Sequence, residues 1–295
     1  MSILNSDYLI YIKLLRPWQW AKNFFIIIPI ILSDSLTIEK LFHSIGLFFL
    51  FSIFVSGNYI LNDLSDMNLD KNHPEKKYRP IASGAISKTL AKQISIFLFL
   101  SSILITYIYY KIEIVYLFLI YLLLALLYTK FFKFINFIDA ILISLLFLIR
   151  LTIGGIAVDV NITIYLYLFT FFISMFIVYL KKNSILNKRF LESNSFRNTI
   201  KKQNEKFSFT NILIFFGFAA NISLILWGIN LTNIFSYSKL FSMITYNIIF
   251  IYITVRLIKN SKEAELEDFV FGIFKDKLLL KLLIVIISLF IYFYF

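Results

Sequence analysis

The chain is 295 residues long, 60% apolar and only 16% charged, with a mean hydropathy of +0.82. Soluble domains lie near about 45–50% apolar and about 25% charged, so this composition excludes a water-soluble globule and describes a polytopic membrane protein. Eight Gly, four Pro and no Cys exclude a collagen-like rod, a disulfide-stapled fold and thiolate metal chemistry, and leave the redox compartment open.

Continuous apolar runs such as IVYLFLIYLLLALLY favour helices over the alternating segments of a barrel. In chain order they predict helices over 24–33, 42–62, 90–110, 112–129, 137–157, 162–180, 208–229, 237–258 and 277–295, an all-α bundle of nine transmembrane helices in one domain, 1–295. Before the first helix, Arg16-Pro17-Trp18-Gln19-Trp20 reads as an interfacial lead-in with Pro17 near a helix start. Residues 8–12 are too short an apolar run for a cleavable leader, and Lys13 and Arg16 follow them.

The net charge of +12 becomes informative once it is divided among the loops. With a cytoplasmic N-terminus, alternate loops receive all but four of the 29 basic residues: Lys40, Lys111 and Lys239 fall outside, and Arg150 falls within a span. That asymmetry predicts a plasma-membrane or inner-membrane protein with its N-terminus inside and, after nine crossings, its C-terminus outside. The basic residues sit on short loops between spans, with no recognisable binding module, so nucleic acid is not the expected partner. The longest polar stretches, 63–88, 181–206 and 259–276, all fall on the predicted cytoplasmic side, which is where any chemistry belongs.

The sharpest feature ends the second helix: GNYILNDLSDMNLDKNHPEKKYRPIASG. Asn62, Asp63, Asp66 and Asp70 recur at spacings of three and four, so a continuing helix presents the three carboxylates on one face. Their repulsion needs an offset. Mg²⁺, a hard cation that shares its oxygen ligands with substrate phosphates, suits the set, and a solvated acidic helix end is the alternative. His73, Lys76 and Arg79 follow at once and are cations suited to phosphate oxygens.

The second cluster is YTKFFKFINFIDAILISLLFLIRLTIGG. Tyr128, Lys130 and Lys133 fall in a predicted cytoplasmic connection, and Asp139 opens the next helix. Eleven residues on, Arg150 lies inside an apolar span, where a charge costs about 2.5–3.5 kcal/mol on insertion scales. Two readings are open for it, a structural pair with a carboxylate such as Asp139, or an anion clamp lining one cavity with Lys133, Asp63 and Asp66. Gly154 and Gly155 are expected to permit close helix packing. Lys22 in the lead-in, and Lys181 and Lys182 in KKNSILNKRFLE, add basic groups near the same predicted membrane face.

RPWQWAKNFFIIIP, NDLSDMNLDKNHPEKKYRPIASG and the later spacing of Tyr128, Lys133, Asp139 and Arg150 resemble the UbiA superfamily of intramembrane prenyltransferases, most closely its decaprenyl-phosphate phosphoribosyltransferase branch. The resemblance implies a nine-helix bundle with a cytoplasm-facing cavity, and Mg²⁺ as cofactor on Asn62, Asp63, Asp66 and Asp70. Asp63 and Asp66 would be catalytic, and Lys22, His73, Lys76, Arg79, Tyr128, Lys133 and Arg150 would bind substrate phosphates. Prenyl diphosphate users carry a second Asp-rich motif after the sixth helix. Here KKNSILNKRFLE has no aspartate, and Lys181-Lys182 or Lys188-Arg189 with Glu192 occupies the position. The implied reaction is transfer of a 5-phosphoribosyl group from phosphoribosyl diphosphate to a polyprenyl phosphate lipid. Prenyl transfer from a diphosphate to an aromatic acceptor is the alternative.

Overall fold

The computed structural model describes residues 4–33, 36–133, 135, 137–192, 198–231, 237–262 and 276–294. All regular structure among them is helical: α1 Leu4–Leu15, a 3₁₀ lead-in Pro17–Ile26, α2 Ile28–Ile31, α3 Ile38–Lys71, a 3₁₀ turn Lys76–Tyr78, α4 Lys88–Tyr109, α5 Ile112–Leu127 with a π turn Tyr128–Phe132, α6 Ile138–Val158, α7 Ile164–Glu192, α8 Asn198–Leu231, α9 Tyr237–Lys262 and α10 Lys277–Tyr294. Lipid offers no partner for a bare peptide group, so each apolar run closes its own hydrogen bonds. Seven helices among the described residues, α3 to α9, are long and apolar enough to cross a membrane. The run predicted as a first helix over 24–33 is instead the end of the 3₁₀ segment followed by the four-residue α2.

Caps start the spans where polar side chains allow it. Thr37 accepts from the Lys40 amide at the head of α3, and Ser87 accepts from the Leu90 amide at the head of α4. α3 does not stop at residue 62 but runs 34 residues to Lys71, carrying the acidic motif on regular helix.

The chain's contacts gather into two compact units, Met1–Leu142 with Leu146–Ile162, and Ile143–Leu145 with Thr163–Phe295. The core of the first is aromatic: the Phe51 ring meets those of Phe118 and Tyr121 edge-on at 5.1 and 5.0 Å, and Phe54 meets Phe99 at 5.1 Å. The lead-in is tied to this core at several points. Trp20 donates to Ser56 Oγ (3.0 Å), Ser56 donates to the Leu15 carbonyl (2.8 Å), and Asn23 donates to Ser52 Oγ (2.9 Å). The close packing expected of Gly154 is present, since a Cβ there would lie 2.1 Å from the carbonyl oxygen of Ile26.

In the second unit, Tyr179 of α7 stacks on Phe216 of α8 at 5.7 Å, and Gly217 leaves room for Phe176. Asn221 donates to Asn247 Oδ1 (3.1 Å), and Asn183 donates to Ser261 Oγ (2.9 Å), so the buried amides are paired across helices. Asp276 caps α10 by accepting from the amides of Leu278 and Leu279, and hydrogen bonds from Arg256 hold its carboxyl down at about 2.

Candidate active site

The acidic face of α3 is offset by cations of the chain itself. Arg16 donates through one nitrogen to both oxygens of Asp63 (2.5 and 2.6 Å). Arg79 reaches Asp63 at 3.2 Å and Asp70 at 2.6 Å, and Lys133 pairs with Asp66. Asp63 and Asp70 are buried, at 3% and 4% exposure, so desolvation would be severe without these partners. Each of the three carboxylates thus meets at least one cation of the chain.

Each cation is delivered by local structure. Arg16 sits between α1 and the lead-in with φ 54° and ψ 56°, a left-handed conformation unusual for a side chain with a Cβ, and it directs the guanidinium across to α3. Leu14, buried at 1% exposure, pins the preceding turn in an apolar cluster with Ile60 and Met67 of α3. Ile81 and Ile86 belong to the same cluster, which folds the loop after α3 back over the helix and carries Arg79 onto Asp63 and Asp70. Lys133 closes the π turn, its amide donating to the Tyr128 carbonyl at 2.9 Å, and that extra residue per turn swings its side chain toward Asp66. Asn62 donates to Asp66 Oδ2 at 3.3 Å. Tyr128 lies within electrostatic reach of Asp66 and Asp139.

The remaining sequence-predicted residues lie differently. Lys22 is exposed and donates to Gln19. His73 and Lys76 are exposed; His73 Nδ1 accepts from the Glu75 and Lys76 amides and so braces its own turn. Asp139 is buried at the start of α6, with Oδ1 accepting from the Ala140 amide. Lys181 and Lys182 lie on α7 in the second unit, Lys182 over the Tyr179 ring at 5.2 Å, while the side chains of Lys188, Arg189 and Glu192 lie outside the described residues.

Arg150 lies apart from the acidic face of α3. Its guanidinium is 5.7 Å from the ring of Phe51, twelve residues before Asp63 and therefore about 18 Å away along α3. Its bonds run to Asn23 Oδ1 (2.9 Å), the Leu146 carbonyl (2.8 Å) and the Tyr121 hydroxyl (2.7 Å), with the Phe147 ring at 4.9 Å. Neutral acceptors and π faces solvate this charge, and neither the Asp139 pair nor contact with the acidic motif is present. The residue that does join the motif is Arg16, which sequence reading left as an interface residue. Its signal in the sequence was its place at the head of RPWQWAKNFFIIIP.

Among the described residues no three carboxylate or imidazole groups converge into a ready-made metal cage. The donor set nevertheless fits Mg²⁺, which binds through one or two carboxylates and completes its octahedron with water and substrate phosphate. Asn62 and the three aspartates are hard oxygen donors on one helix face, and the adjoining cations suit the phosphate.

Apolar helices with carboxylates and cations gathered at the end of one of them define a helical membrane protein with a polar, ion-paired site on α3. The chain belongs to the UbiA prenyltransferase family, whose pattern it matches over residues 24–275, through both units. It is 25% identical over 237 residues to decaprenyl-phosphate phosphoribosyltransferase of Mycobacterium tuberculosis, covering 74% of this chain and 72% of that protein. Over a shorter stretch of 83 residues it is 34% identical to nodulation protein NoeC of Azorhizobium caulinodans, covering 27% of this chain and 26% of that one. Its fold is that of a digeranylgeranylglyceryl phosphate synthase (TM-score 0.66, 20% identity, 98% and 99% of the two chains). It is also that of a UbiA homologue from Archaeoglobus fulgidus bound to GPP and Mg²⁺ (TM-score 0.58, 17% identity, 97% and 98%).

Proposed function

We propose that this membrane transferase moves a 5-phosphoribosyl group from phosphoribosyl diphosphate to a polyprenyl phosphate, releasing diphosphate at the cytoplasmic face. The observation that carries the choice is the basic end of α7: where prenyl diphosphate users place a second aspartate cluster, KKNSILNKRFLE holds Lys181 and Lys182 and no aspartate. A donor phosphorylated at both ends carries more anionic groups than a prenyl diphosphate, and a basic segment suits it better than a second acidic one. The relative from M. tuberculosis carries the corresponding name.

In this reading Asn62, Asp63, Asp66 and Asp70 hold Mg²⁺, which when bound neutralises charge on the departing diphosphate. Arg16, Arg79 and Lys133 supply hydrogen bonds to phosphate oxygens and keep the donor's anomeric carbon facing the acceptor. The C1–O bond to diphosphate breaks as a C1–O bond to the acceptor phosphate forms. The acceptor is already an anion at neutral pH, so no proton has to be removed by a base. Nine crossings, a cytoplasmic N-terminus and residence in the plasma or inner membrane complete the reading.

The test is incubation of purified protein with labelled phosphoribosyl diphosphate, Mg²⁺ and a polyprenyl phosphate. A labelled lipid that disappears with EDTA is the expected result. Prenylation of an aromatic acid from a prenyl diphosphate, with phosphoribosyl diphosphate ignored, would assign the chain to the other branch.

A further inference from the structure

One turn before the acidic motif, α3 carries a polar residue that the proposed chemistry does not use. Asn58 belongs to the row Phe54, Asn58, Asn62, Asp66, which recurs every four residues along the helix. It is 9% exposed, and its Oδ1 is buried with no hydrogen-bond partner among the described residues. Its neighbours on the row are engaged. Phe54 packs against Phe118 at 4.8 Å and Tyr121 at 6.5 Å, while Asn62 donates to Asp66 and lies 3.5 Å from Thr129 Oγ1. Tyr121, Ala125 and Thr129 form the matching row of α5 and its π turn, so the residue level with Asn58 is Ala125. A methyl group donates nothing, and the Ala125 carbonyl already accepts from the Thr129 hydroxyl. Buried amides elsewhere are paired, Asn23 with Ser52 and Arg150, Asn183 with Ser261, and Asn221 with Asn247. A buried oxygen left without a donor is rare in a folded protein and points to a donor brought by a ligand.

We propose that Asn58 accepts a hydrogen bond from a sugar hydroxyl of the donor, and that this contact selects a hydroxylated group for transfer. The proposal rests on the phosphoribosyl reading given above and names the residue that reads the ribose. Asn58 lies about 6 Å along α3 from Asn62, on the side of the aromatic core built around Phe51 and Phe54. The acceptor is a lipid whose chain lies in the membrane. With the diphosphate at Asn62, Asp63, Asp66 and Asp70, the sugar therefore faces the core side, where this amide is the next polar group on the row. The ring hydroxyls of a ribosyl diphosphate stand one and two carbons from the anomeric centre, a step that one helical turn matches. The terminal torsion of an asparagine is soft, so rotating the amide turns its oxygen toward the ligand without moving the helix. A prenyl group has no hydrogen-bond donor and would leave the same oxygen orphaned; an apolar side chain would serve it better.

Steady-state kinetics of the purified full-length protein with 5-phosphoribosyl diphosphate and its 2-deoxy and 3-deoxy counterparts, each with Mg²⁺ and a polyprenyl phosphate, test this directly. Comparing the ratio of kcat/KM for two donors between two proteins cancels the intrinsic reactivity of each donor. Asn58→Val should use the parent donor at least tenfold less well, and its preference for the parent over one of the deoxy donors should be at least tenfold weaker than that of the unmodified protein. Without substrate, Asn58→Val should unfold at the same temperature or higher, because it removes an unpartnered buried amide. Asn58→Ser, whose hydroxyl bonds the carbonyl four residues back, carries the same comparison if the valine variant does not fold. Donor ratios unchanged by both substitutions, whether or not the unfolding midpoint falls, would overturn the role of Asn58 and leave phosphoribosyl transfer standing. Prenyl transfer with no turnover of any ribosyl donor would overturn both.

Discussion

Asp63 and Arg150 show how differently two buried charges are accommodated. The spacing of the aspartates suggests mutual repulsion that only a metal relieves, and on that basis Asp63→Ala should leave the fold untouched. The structure reverses that expectation, because Asp63 is the carboxylate partner of both Arg16 and Arg79. Breaking a buried pair from one side costs about 3–5 kcal/mol. Asp63→Ala should therefore abolish turnover and also lower the thermal midpoint in detergent, and the combination Arg16→Gln/Asp63→Asn should be less destabilising than the sum of its single changes. Arg150→Met removes a charge from the apolar interior but strands Asn23 and Tyr121 without their partner, a loss of about 1–3 kcal/mol for each unsatisfied group. Its expected signature is a lowered unfolding midpoint with kcat/KM of the surviving enzyme nearly unchanged. A selective fall in kcat/KM at full stability would restore Arg150 to the substrate site.

Among the elements, the lead-in departs furthest from its sequence pattern. Its apolar residues 24–33 promise a membrane helix, yet the chain forms a 3₁₀ segment and a single α turn pressed against α6. The contact at Gly154 is backbone to backbone, so no rotamer change can relieve an added methyl group. Gly154→Ala should push the lead-in away, loosen Arg16 from Asp63 and cost roughly 1–3 kcal/mol, with both the unfolding midpoint and Mn²⁺ retention altered. Gly154 is thus a packing residue whose substitution is felt at the acidic motif. The π turn after α5 plays a comparable part from the other side, since a regular helix there would place Lys133 on a different face.

For the molecule as a whole, the distribution of basic residues predicts which ends of the helices share a side of the membrane. In the first unit the structure brings the expected groups together: Lys111 before α5 pairs with Asp159 after α6, both assigned outside, while Arg16, Arg79, Lys133 and the acids of α3 meet at the end assigned inside. Lys111 also holds the Asp159 carboxyl below its ordinary range. Reporter fusions after residues 75 and 135 should accordingly read cytoplasmic, and one after residue 110 should read external. The same side for residues 75 and 110 would contradict the orientation.

Sequence by itself determined that the chain is a helical membrane protein, where most of its spans lie, and that α3 carries an oxygen-rich face beside cations. Each of these follows from local rules, the hydropathy of contiguous residues and the helical period, which need no knowledge of what packs against what. Tertiary structure decided which cations serve that face. Arg16 lies 47 residues from Asp63 and Lys133 lies 67 from Asp66, distances over which no period operates. Arg150 is flagged by its rarity in an apolar span, but hydropathy marks a buried charge and not its depth or its partners. Those depend on how the lead-in, α5 and α6 pack, and packing is a property of the folded bundle.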